Sequence, residues 1–445
     1  MILTLISFKE AYKLDIKKNV KRYMNIEIKE KIKYLVGDEE VLQNAPKTPS
    51  LPIFSELVEG FLSALSKELL AIPGIRNHMD VMSYAYWIRK ASLEQTKSDT
   101  VREDTFRMGR GVAFHIAPSN VPVNFAVSMT SSLLAGNITV IRVSEKQFEE
   151  VDIICSAINR LLSRDEFTQM KQYICIIRYE HSDEITAFLS SICDVRIIWG
   201  GDRTIEQIRR YPIPPRAIEM CFADRHSVAV IDAKKYHALI SAPEKGADNA
   251  VEIAKKFYTD TYYSDQNACS SPRIVVWLVD ENLAKDSEKD ETLFKVQKTF
   301  WDTLSKEVEE RYEMQPIQAI DKLSMFTELS MKKDGIRLDK HGNKMFVIHL
   351  DELSEDIMDY KMGGGYFFEF TANSLDVIIP IMGKNCQTIA VLGIDKNDVV
   401  DFVACSGVRG IDRVVDIGDT MGLEFTWDGY RMIENMSRVV YVYNR

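Results

Sequence analysis

The chain has 445 residues, of which 46% are hydrophobic and 27% are charged, and its formal net charge is −10. This length exceeds one ordinary hydrophobic core, so we expect two or three globular domains. The acidic balance argues against nonspecific binding of nucleic acid, which requires a basic surface, but it permits a local basic pocket for an anionic cofactor.

The cysteines and histidines give no pattern typical of a metal site. Seven cysteines are present, none in a C-x-x-C spacing, and the odd number does not favour a disulfide framework. A reducing cytoplasm is therefore the expected compartment. The apolar run at the N-terminus is broken by Lys9 and lacks a basic region before it, so it does not predict a signal peptide. The most apolar long stretch, 124–141, contains asparagine, serine and threonine, and predicts a helix, a turn and a strand rather than a membrane span.

The first hundred residues are predicted to be largely helical. Apolar residues between Phe54 and Leu69 recur with a period of 3.6 residues, which predicts a helix that the Pro73-Gly74 pair ends. Two short stretches have a linker-like composition and lie at 43–52 and 280–291.

From residue 111 onward, short apolar runs alternate with amphipathic segments. The predicted strands lie at 111–117, 138–144, 172–179, 195–201 and 226–232, and the predicted helices at 121–137, 148–162, 182–193 and 203–211. Strands that are apolar throughout are typical of a parallel sheet with helices on both faces, and the alternation predicts βαβ units. After about residue 240 the alternation resumes with a helix at 248–263, strands at 273–279, 344–350 and 387–393, and a long helix near 291–312.

The segment "GVAFHIAPSNVPVNF" places Asn120 just after an apolar strand. Open α/β sheets bind ligands at the carboxyl ends of their strands. The Asn120 amide could therefore donate a hydrogen bond to a developing oxyanion. Local evidence alone favours a turn asparagine that caps the next helix.

Two further segments place polar residues or glycines after strands. In "LLAGNITVIRVS", Arg142 and Ser144 lie at a strand end, where a cation could meet a ribose or a phosphate. Most such arginines are solvated or ion-paired. In "IIWGGDRTIEQI", Gly200 and Gly201 form a strand-to-helix turn that lets the backbone approach an anionic ligand. Glycine pairs of this kind also occur without a ligand.

Cys269 differs from the other cysteines in its neighbours. In "DQNACSSPR" it lies among small polar residues, whereas most of the others, such as Cys155 and Cys175, lie in apolar segments and are predicted to be core residues. Reactive cysteines occupy partially exposed sites. The residues alone leave a nucleophile and a non-catalytic thiol equally open.

Taken in chain order, these segments resemble the motifs of the aldehyde dehydrogenase superfamily over most of the chain, from about 105 to 440. "IAPSNVPV" is similar to its PWNFP segment, "LLAGNITVIRVS" to AGN…VVVKPSE, "WGGD" to its FTGS turn, and "DQNACSSPR" to its nucleophile loop. The finer resemblance is to the acyl-CoA reductases of bacterial luminescence, through "WGGD…IR", "DQNACSSP" and the late "WDG".

The resemblance implies an aldehyde dehydrogenase-like α/β fold, in which two Rossmann-like domains flank the active site in the cleft between them. The implied boundaries are 1–240 for a cofactor-binding domain with a helical N-terminal part and 241–415 for the catalytic domain. Residues 416–445 would return to the first domain or form an oligomer interface. The implied partners are a fatty acyl-CoA or an acylated protein, with a homo-oligomer as the assembly.

The resemblance also assigns roles residue by residue. Cys269 falls on the nucleophile and Asn120 on the oxyanion donor. Arg142 falls on the lysine that contacts the adenosine ribose of the cofactor, here NADPH, with Ser144 beside it. Gly200 and Gly201 fall on the cofactor turn. Glu369, in "FFEFTA", falls near the glutamate that holds the nicotinamide ribose, although the surrounding motif is not preserved.

One departure from the superfamily concerns hydrolysis. Oxidising members carry, in ELGGKSP, a glutamate that activates water; alignment on Ser227 puts Phe222 at this position, with Glu219 nearby but out of register. The sequence thus predicts a cytoplasmic NADPH-dependent reductase that converts a fatty acyl thioester to an aldehyde through an acyl-cysteine. The alternatives are an oxidative or CoA-acylating aldehyde dehydrogenase, a non-catalytic subunit of an acyl-transfer complex, and an unrelated α/β binding protein.

Overall fold

The computed structural model describes residues 31–102, 105–279 and 291–442. They form two compact units. The first comprises the described residues up to 223, together with 423–426 and the segment from 430 onward, and the second comprises 224–422 and 427–429. The predicted helical structure of residues 1–30 and nearly all of the linker-like stretch 280–291 lie outside the described residues.

The first unit begins with a strand and a group of helices. These are β1 (Lys33–Val36), α1 (Glu39–Asn44), α2 (Glu56–Leu70), α3 (Met79–Trp87) and α4 (Lys90–Thr100). Helix α2 confirms the periodic prediction, because the apolar positions Val58, Phe61, Leu62, Leu65 and Leu69 are fully buried. The stretch 43–52, predicted as a linker, is ordered instead. It contains the end of α1 and a 3-10 turn at Ala45–Lys47, and the Tyr173 hydroxyl donates to the Pro49 carbonyl at 3.1 Å.

A six-stranded sheet forms the core of the first unit. The first unit continues with β2 (Phe106–Gly109), β3 (Val112–Ile116), α5 (Asn124–Leu134), β4 (Ile138–Arg142), α6 (Glu149–Leu162), β5 (Ile174–Arg178), α7 (Asp183–Ile192), β6 (Val195–Trp199), α8 (Asp202–Arg209) and β7 (Ile218–Phe222). Strand β2 is not part of the six-stranded sheet. The strand order is β1-β5-β4-β3-β6-β7, with only β1 antiparallel to its neighbour. The chain order reverses between β3 and β6, so this is the sheet's topological switch point.

The second unit is built on a seven-stranded sheet. Its elements are β8 (His226–Asp232), α9 (Ala233–Ile240), α10 (Gly246–Thr261), β9 (Pro272–Leu278), α11 (Glu291–Arg311), α12 (Pro316–Lys332), β10 (Ile336–His341), β11 (Met345–Leu350), β12 (Tyr366–Ala372), β13 (Cys386–Leu392), α13 (Lys396–Ser406) and β14 (Arg413–Asp416). The order is β10-β11-β12-β9-β8-β13-β14, with only β10 antiparallel.

Both faces of this second sheet are covered. Along β9, Ile274 and Val276 belong to one apolar core, and Val275 and Trp277 belong to the other. Successive side chains of a strand point to opposite faces, so a strand between two cores must be apolar at every position. This requirement explains why the sequence predicts these strands as continuous apolar runs.

The C-terminal elements are β15 (Thr426–Trp427), β16 (Tyr430–Arg431), α14 (Met432–Met436) and β17 (Ser437–Val440). Strand β17 pairs antiparallel with β2. The buried Asn137 side chain supports this return, because its amide donates to the Met436 carbonyl at 3.0 Å and its oxygen accepts from the Arg110 N–H at 2.7 Å.

The predicted domain boundary at 240 differs from the observed division after residue 223. Strand β8 hydrogen-bonds to β9 and β13, so the chain enters the second sheet before residue 240. The predicted C-terminal segment also begins later than 416, because β14 pairs with β13 and residues up to 422 belong to the second unit.

In the part of the chain that the structure describes, no helix combines the length and the apolar character that a membrane crossing requires. The same residues contain no group of three His, Cys, Asp or Glu side chains that could hold a metal ion.

Candidate active site

Cys269 lies on a short loop at the amino-terminal end of β9, in the second unit. The loop begins with two residues in the left-handed region, Asp265 and Gln266, with φ of 55° and 54°. Positive φ is uncommon for residues other than glycine, so surrounding contacts must hold this backbone in place. The Gln266 N–H donates to the Thr261 carbonyl at 2.8 Å, which fastens the loop to the end of α10.

The Gln266 side chain is the main internal brace of this loop. It is fully buried, and its oxygen accepts from the Gly365 and Tyr366 N–H groups at 2.8 and 3.1 Å. Its amide nitrogen donates to the Pro272 carbonyl at 3.3 Å. The cysteine loop is thereby tied to the start of β12, its neighbour in the sheet.

Asp265 fastens the other side of the loop. The Gln318 amide donates to the Asp265 carboxylate at 2.7 Å, and the Tyr312 hydroxyl donates to its other oxygen. The Gly364 N–H donates to the Asp265 carbonyl at 3.2 Å. Gln318 lies on α12, which the sequence analysis did not predict, so this support could not be foreseen from the local motif.

The Cys269 thiol is half-buried, whereas Cys155, Cys175, Cys193 and Cys386 are buried. The prediction of a partly accessible thiol is confirmed, and the prediction that most of the other cysteines are core residues is confirmed for these four. Cys221 is half-buried and Cys405 is exposed.

The Cys269 thiol lies among groups of both charges. Burial raises its pKa, a hydrogen bond from the Arg225 backbone N–H lowers it, the charges of Asp428 and Asp224 raise it, and that of Arg273 lowers it. Because the net direction is upward, the thiol form predominates at neutral pH, and the two arginines are the groups that favour the reactive thiolate.

These two arginines are functional candidates that the sequence analysis missed. Arg273 belongs to the cysteine loop itself, and burial lowers its pKa to about 10. Its guanidinium donates to the Met362 carbonyl at 2.5 Å, and its buried Nε has no hydrogen-bond partner among the described residues. Arg225 lies just before β8, and Ser227, two residues later, donates its hydroxyl proton to the Cys269 carbonyl at 2.7 Å. The start of β8 therefore contacts Cys269 at both its sulfur and its carbonyl oxygen.

The first unit contains a cavity of about 430 Å³ at the carboxyl end of its sheet. Its wall includes Ile116 at the end of β3, Arg142 at the end of β4, and residues of α8, so it reaches the switch point between β3 and β6. Dinucleotides bind at this place in open α/β sheets. Two further basic side chains, His181 and Arg210, line it.

Only part of the Arg142 guanidinium is hydrogen-bonded to the described residues. Its guanidinium donates to the Tyr179 carbonyl at 3.4 Å and lies 4.9 Å from the centre of the Tyr179 ring. It forms an ion pair with Glu145 at 3.3 Å, but its buried Nε has no hydrogen-bond partner among the described residues. An unpaired buried N–H is expected to have a partner when a ligand is present.

Gly201 is the N-cap of α8, and a Cβ atom there would meet nothing within 4 Å. At Gly200 a Cβ atom would contact Thr204 at 3.1 Å, and the Gly200 N–H donates to the Phe222 carbonyl at 3.2 Å. Gly201 therefore faces open space, whereas a side chain at Gly200 would press against Thr204. Asp202, in the first turn of α8, disfavours an anion at this helix end.

Asn120 and Ser144 lie on loops of the first unit. Asn120 is exposed, four residues after the end of β3. Helix α5 begins at Asn124 with Val123 as its N-cap, so Asn120 does not cap this helix. Ser144 accepts a hydrogen bond from the Lys146 N–H at 3.2 Å and stabilises the turn after Arg142.

The placement of Glu369 contradicts the predicted ribose contact. Its carboxylate is buried in the second unit, where Oε1 accepts hydrogen bonds from the indoles of Trp277 and Trp301 at 2.7 and 2.5 Å, and Oε2 lies 2.5 Å from His349 Nδ1. A cofactor could reach this carboxylate only by displacing core residues. Glu369 is therefore a buried polar core residue.

The residues at or near the position of the hydrolytic base all have partners in the structure. Phe222 is buried and stacks on Trp199 with ring centres 3.7 Å apart. Burial alone would raise the pKa of Glu219, but hydrogen bonds from Arg209 and Arg196 bring it below its ordinary value. Burial lowers the pKa of His226 to about 4, and its Nε2 lies 2.9 Å from the Ile381 carbonyl oxygen.

Residues 89–439 match the model of a protein family described as acyl-CoA reductase (LuxC). A long-chain acyl-protein thioester reductase of Aliivibrio fischeri is 24% identical over 173 residues, which cover 38% of this chain and 33% of that protein. A second such reductase, from Photobacterium leiognathi, is 23% identical over 173 residues with the same coverage. The match thus spans about a third of the length of these curated relatives.

Solved aldehyde dehydrogenases share the fold. A lactaldehyde dehydrogenase superimposes with a TM-score of 0.60 at 12% identity, over 91% of this chain and 90% of its own. Aldehyde dehydrogenase 21 of Physcomitrella patens gives 0.60 at 11% identity, over 90% and 88%. A 1-pyrroline-5-carboxylate dehydrogenase from Thermus, solved with bound NAD, gives 0.59 at 10% identity, over 96% and 85%. The predicted aldehyde dehydrogenase-like α/β fold is confirmed.

Proposed function

Because the chain belongs to the LuxC family of acyl-CoA reductases, we propose that it reduces a fatty acyl thioester to the aldehyde with NADPH, through an acyl-cysteine on Cys269. The observation that carries the proposal is the half-buried Cys269 thiol, which accepts a hydrogen bond from the Arg225 backbone N–H. A thiol held in this way can become a thiolate without a change in backbone position.

The acylation step uses groups of this chain. The Cys269 sulfur, after losing its proton to solvent, attacks the thioester carbonyl carbon and forms a C–S bond, which gives a tetrahedral intermediate. This intermediate then collapses, and the C–S bond to the donor breaks. The donor leaves as a thiolate that takes up a proton. The Cys269 backbone N–H and the Asn120 amide stabilise the oxyanion of the tetrahedral intermediate. The acyl donor is acyl-CoA or an acylated partner protein, and the chain acts as a homo-oligomer.

The cavity of the first unit fits the adenosine end of a nicotinamide dinucleotide. The unpaired Arg142 Nε and the basic lining residues His181 and Arg210 support this fit. Arg142 would pair with a ribose phosphate, because a guanidinium matches phosphate geometry. When bound, NADPH supplies the hydride that reduces the acyl group.

Analysis of the products distinguishes the proposed reduction from the alternative functions. We expect purified protein supplied with a long-chain acyl-CoA and NADPH to release aldehyde and free CoA in equal amounts, with little free fatty acid. The reverse assay supplies aldehyde and NADP⁺ with and without CoA. Rapid oxidation of aldehyde without CoA, and no reduction of any acyl thioester, would favour an oxidative dehydrogenase; activity in neither direction would favour a non-catalytic subunit.

A further inference from the structure

The buried Arg225 side chain links the cysteine loop to a distant part of the sequence. Its guanidinium contacts the Asp412 carboxylate, lies 3.3 Å from the Asp428 carboxylate, and donates to the Cys386 carbonyl at 2.6 Å. All of these residues belong to the second unit. The guanidinium is thus held from three directions at the amino-terminal edge of the sheet.

Asp428 is itself held in place. Only 6% of its side chain is exposed, and the Gln387 amide donates to the same oxygen that faces Arg225. Asp428 has a φ of 48° in the Trp427–Gly429 turn, a conformation that aspartate and asparagine tolerate better than most residues. The Arg413 guanidinium lies 4.8 Å from the centre of the Trp427 ring and packs the turn against β14.

An ion pair of this kind can serve stability alone, but the Arg225 backbone indicates more. The N–H of this residue is the hydrogen-bond donor to the Cys269 thiol. A side chain fixed at its far end restricts the backbone from which it extends. Release of the guanidinium from the two aspartates would therefore loosen the backbone N–H that faces the Cys269 sulfur.

We propose that Asp412 and Asp428 are positioning residues for the Cys269 nucleophile, which clamp the Arg225 side chain so that its backbone N–H stays directed at the sulfur. This role rests on the proposed function, in which the Cys269 thiolate is the attacking group. The residues act through Arg225 and need not touch the substrate.

The direction in which the pKa of the Cys269 thiol changes distinguishes a positioning role of Asp428 from a direct effect of its charge. The negative charge of Asp428 raises the pKa of the Cys269 thiol, as does that of Asp224, whereas the Arg225 N–H and Arg273 lower it. Loss of the Asp428 charge alone would therefore make the thiol more acidic and more reactive. Loss of the clamp weakens the N–H hydrogen bond to the thiolate and makes the thiol less acidic and less reactive.

The test measures the alkylation rate of Cys269 by iodoacetamide as a function of pH, with the modified peptide quantified by mass spectrometry so that Cys405 and Cys221 do not interfere. For Asp428→Asn and Asp412→Asn we expect alkylation about tenfold slower at neutral pH, with the rate profile moved to higher pH, because a hydrogen bond to a charged group is weakened. Asp416→Asn is the matched control, since Asp416 pairs with Lys396 at the surface, and its rate should be unchanged.

Folding is checked by circular dichroism and by thermal unfolding of each variant. Gln387→Met removes the amide that holds Asp428, together with a 3.4 Å hydrogen bond from the Thr388 hydroxyl, and keeps both aspartates. It is therefore the mildest variant and should slow alkylation about threefold. An unchanged or faster rate in folded Asp428→Asn, or in Gln387→Met if both aspartate variants unfold, would overturn the proposal. Because alkylation requires no acyl donor, slower alkylation in a protein that reduces no thioester would retain the clamp and reject only the proposed function.

Discussion

The two sheets of this protein carry their candidate functional residues at opposite kinds of edge. In the first unit, Arg142 and Gly201 follow strands and lie at the carboxyl end of the sheet, where Arg142 lines a cavity of about 430 Å³. In the second unit, Arg225 and Cys269 precede β8 and β9 and lie at the amino-terminal edge. The first edge borders open space, whereas at the second edge hydrogen bonds from several elements hold the loop that carries the thiol.

In the proposed function, the difference corresponds to two tasks. A cavity that admits and releases a ligand keeps polar groups available for that ligand. A covalent nucleophile must be held in one geometry, because small displacements of reacting atoms reduce rates strongly. The braces of the cysteine loop, Gln266 above all, are what this second task requires. Substitutions at the two edges should therefore affect different kinetic parameters.

The largest effect is expected at the thiol. Cys269→Ala should abolish acylation and reductase activity, because no other group replaces the nucleophile, while the Tm and NADPH binding stay as in the wild type. Aldehyde formation and fluorescence titration with NADPH measure the two. Cys405→Ala, which removes an exposed cysteine, is the control. Normal acylation of Cys269→Ala would remove Cys269 from the mechanism.

The next largest effect is expected on the rate at which water hydrolyses the acyl-enzyme. General-base assistance is worth about 10²–10⁴-fold in hydrolysis, and Phe222, at the position predicted for the base, is an apolar ring stacked on Trp199. Without NADPH, the acyl-enzyme should therefore persist far longer than one turnover. Release of labelled fatty acid from acylated enzyme in a single turnover measures this. Rapid release by the wild type would reveal another base and weaken the reductase assignment.

Asn120→Ala should lower kcat by about 10²–10³, the usual loss for a single oxyanion donor. Steady-state kinetics with a saturating acyl-CoA gives the value. Asn159→Ala is the control, since that amide donates to the Leu35 carbonyl at 2.8 Å and has no place in the mechanism. A loss below about threefold would return Asn120 to the role of a loop residue.

A smaller effect is expected at Arg142, at the carboxyl end of the first sheet. Arg142→Gln should raise the KM for NADPH about tenfold and leave that for NADH less changed, because in the proposed function the lost guanidinium would pair with the 2′-phosphate. Arg160→Gln, which breaks a surface ion pair with Glu68, controls for loss of charge. Equal kcat/KM values for the two cofactors in the wild type would contradict this role of Arg142.

Local patterns were sufficient to predict most of the first sheet, because buried parallel strands and amphipathic helices leave strong periodic signals. Strand β7 was missed, since Glu219 interrupts its apolar run. Helix α12 was missed because it buries little beyond Lys322 and Leu329. Periodic patterns detect a helix through a buried apolar face, and that of α12 is narrow, because beside Leu329 its residues Met325 and Phe326 are only partly buried.

The site was predicted only where its residues are local. The composition around Cys269 indicated a partly accessible thiol. Gln318, which braces its loop, and Asp428, which pairs with Arg225, come from segments far along the chain. Glu369 was matched to a ribose-binding glutamate through the family resemblance alone, whereas the structure buries its carboxylate in the core. Its partners Trp277 and Trp301 are 92 and 68 residues away in sequence, so only the folded chain brings them together.

The most direct test of the central claim is the mass of the intact protein after incubation with a panel of acyl-CoAs in the absence of NADPH, followed by peptide mapping. The account predicts one added acyl group per chain, located on Cys269, for the preferred chain length, and its loss as aldehyde when NADPH is added. An unmodified protein with every acyl-CoA and acyl-protein donor tested, or an acyl group on another residue that is turned over to aldehyde, would contradict it.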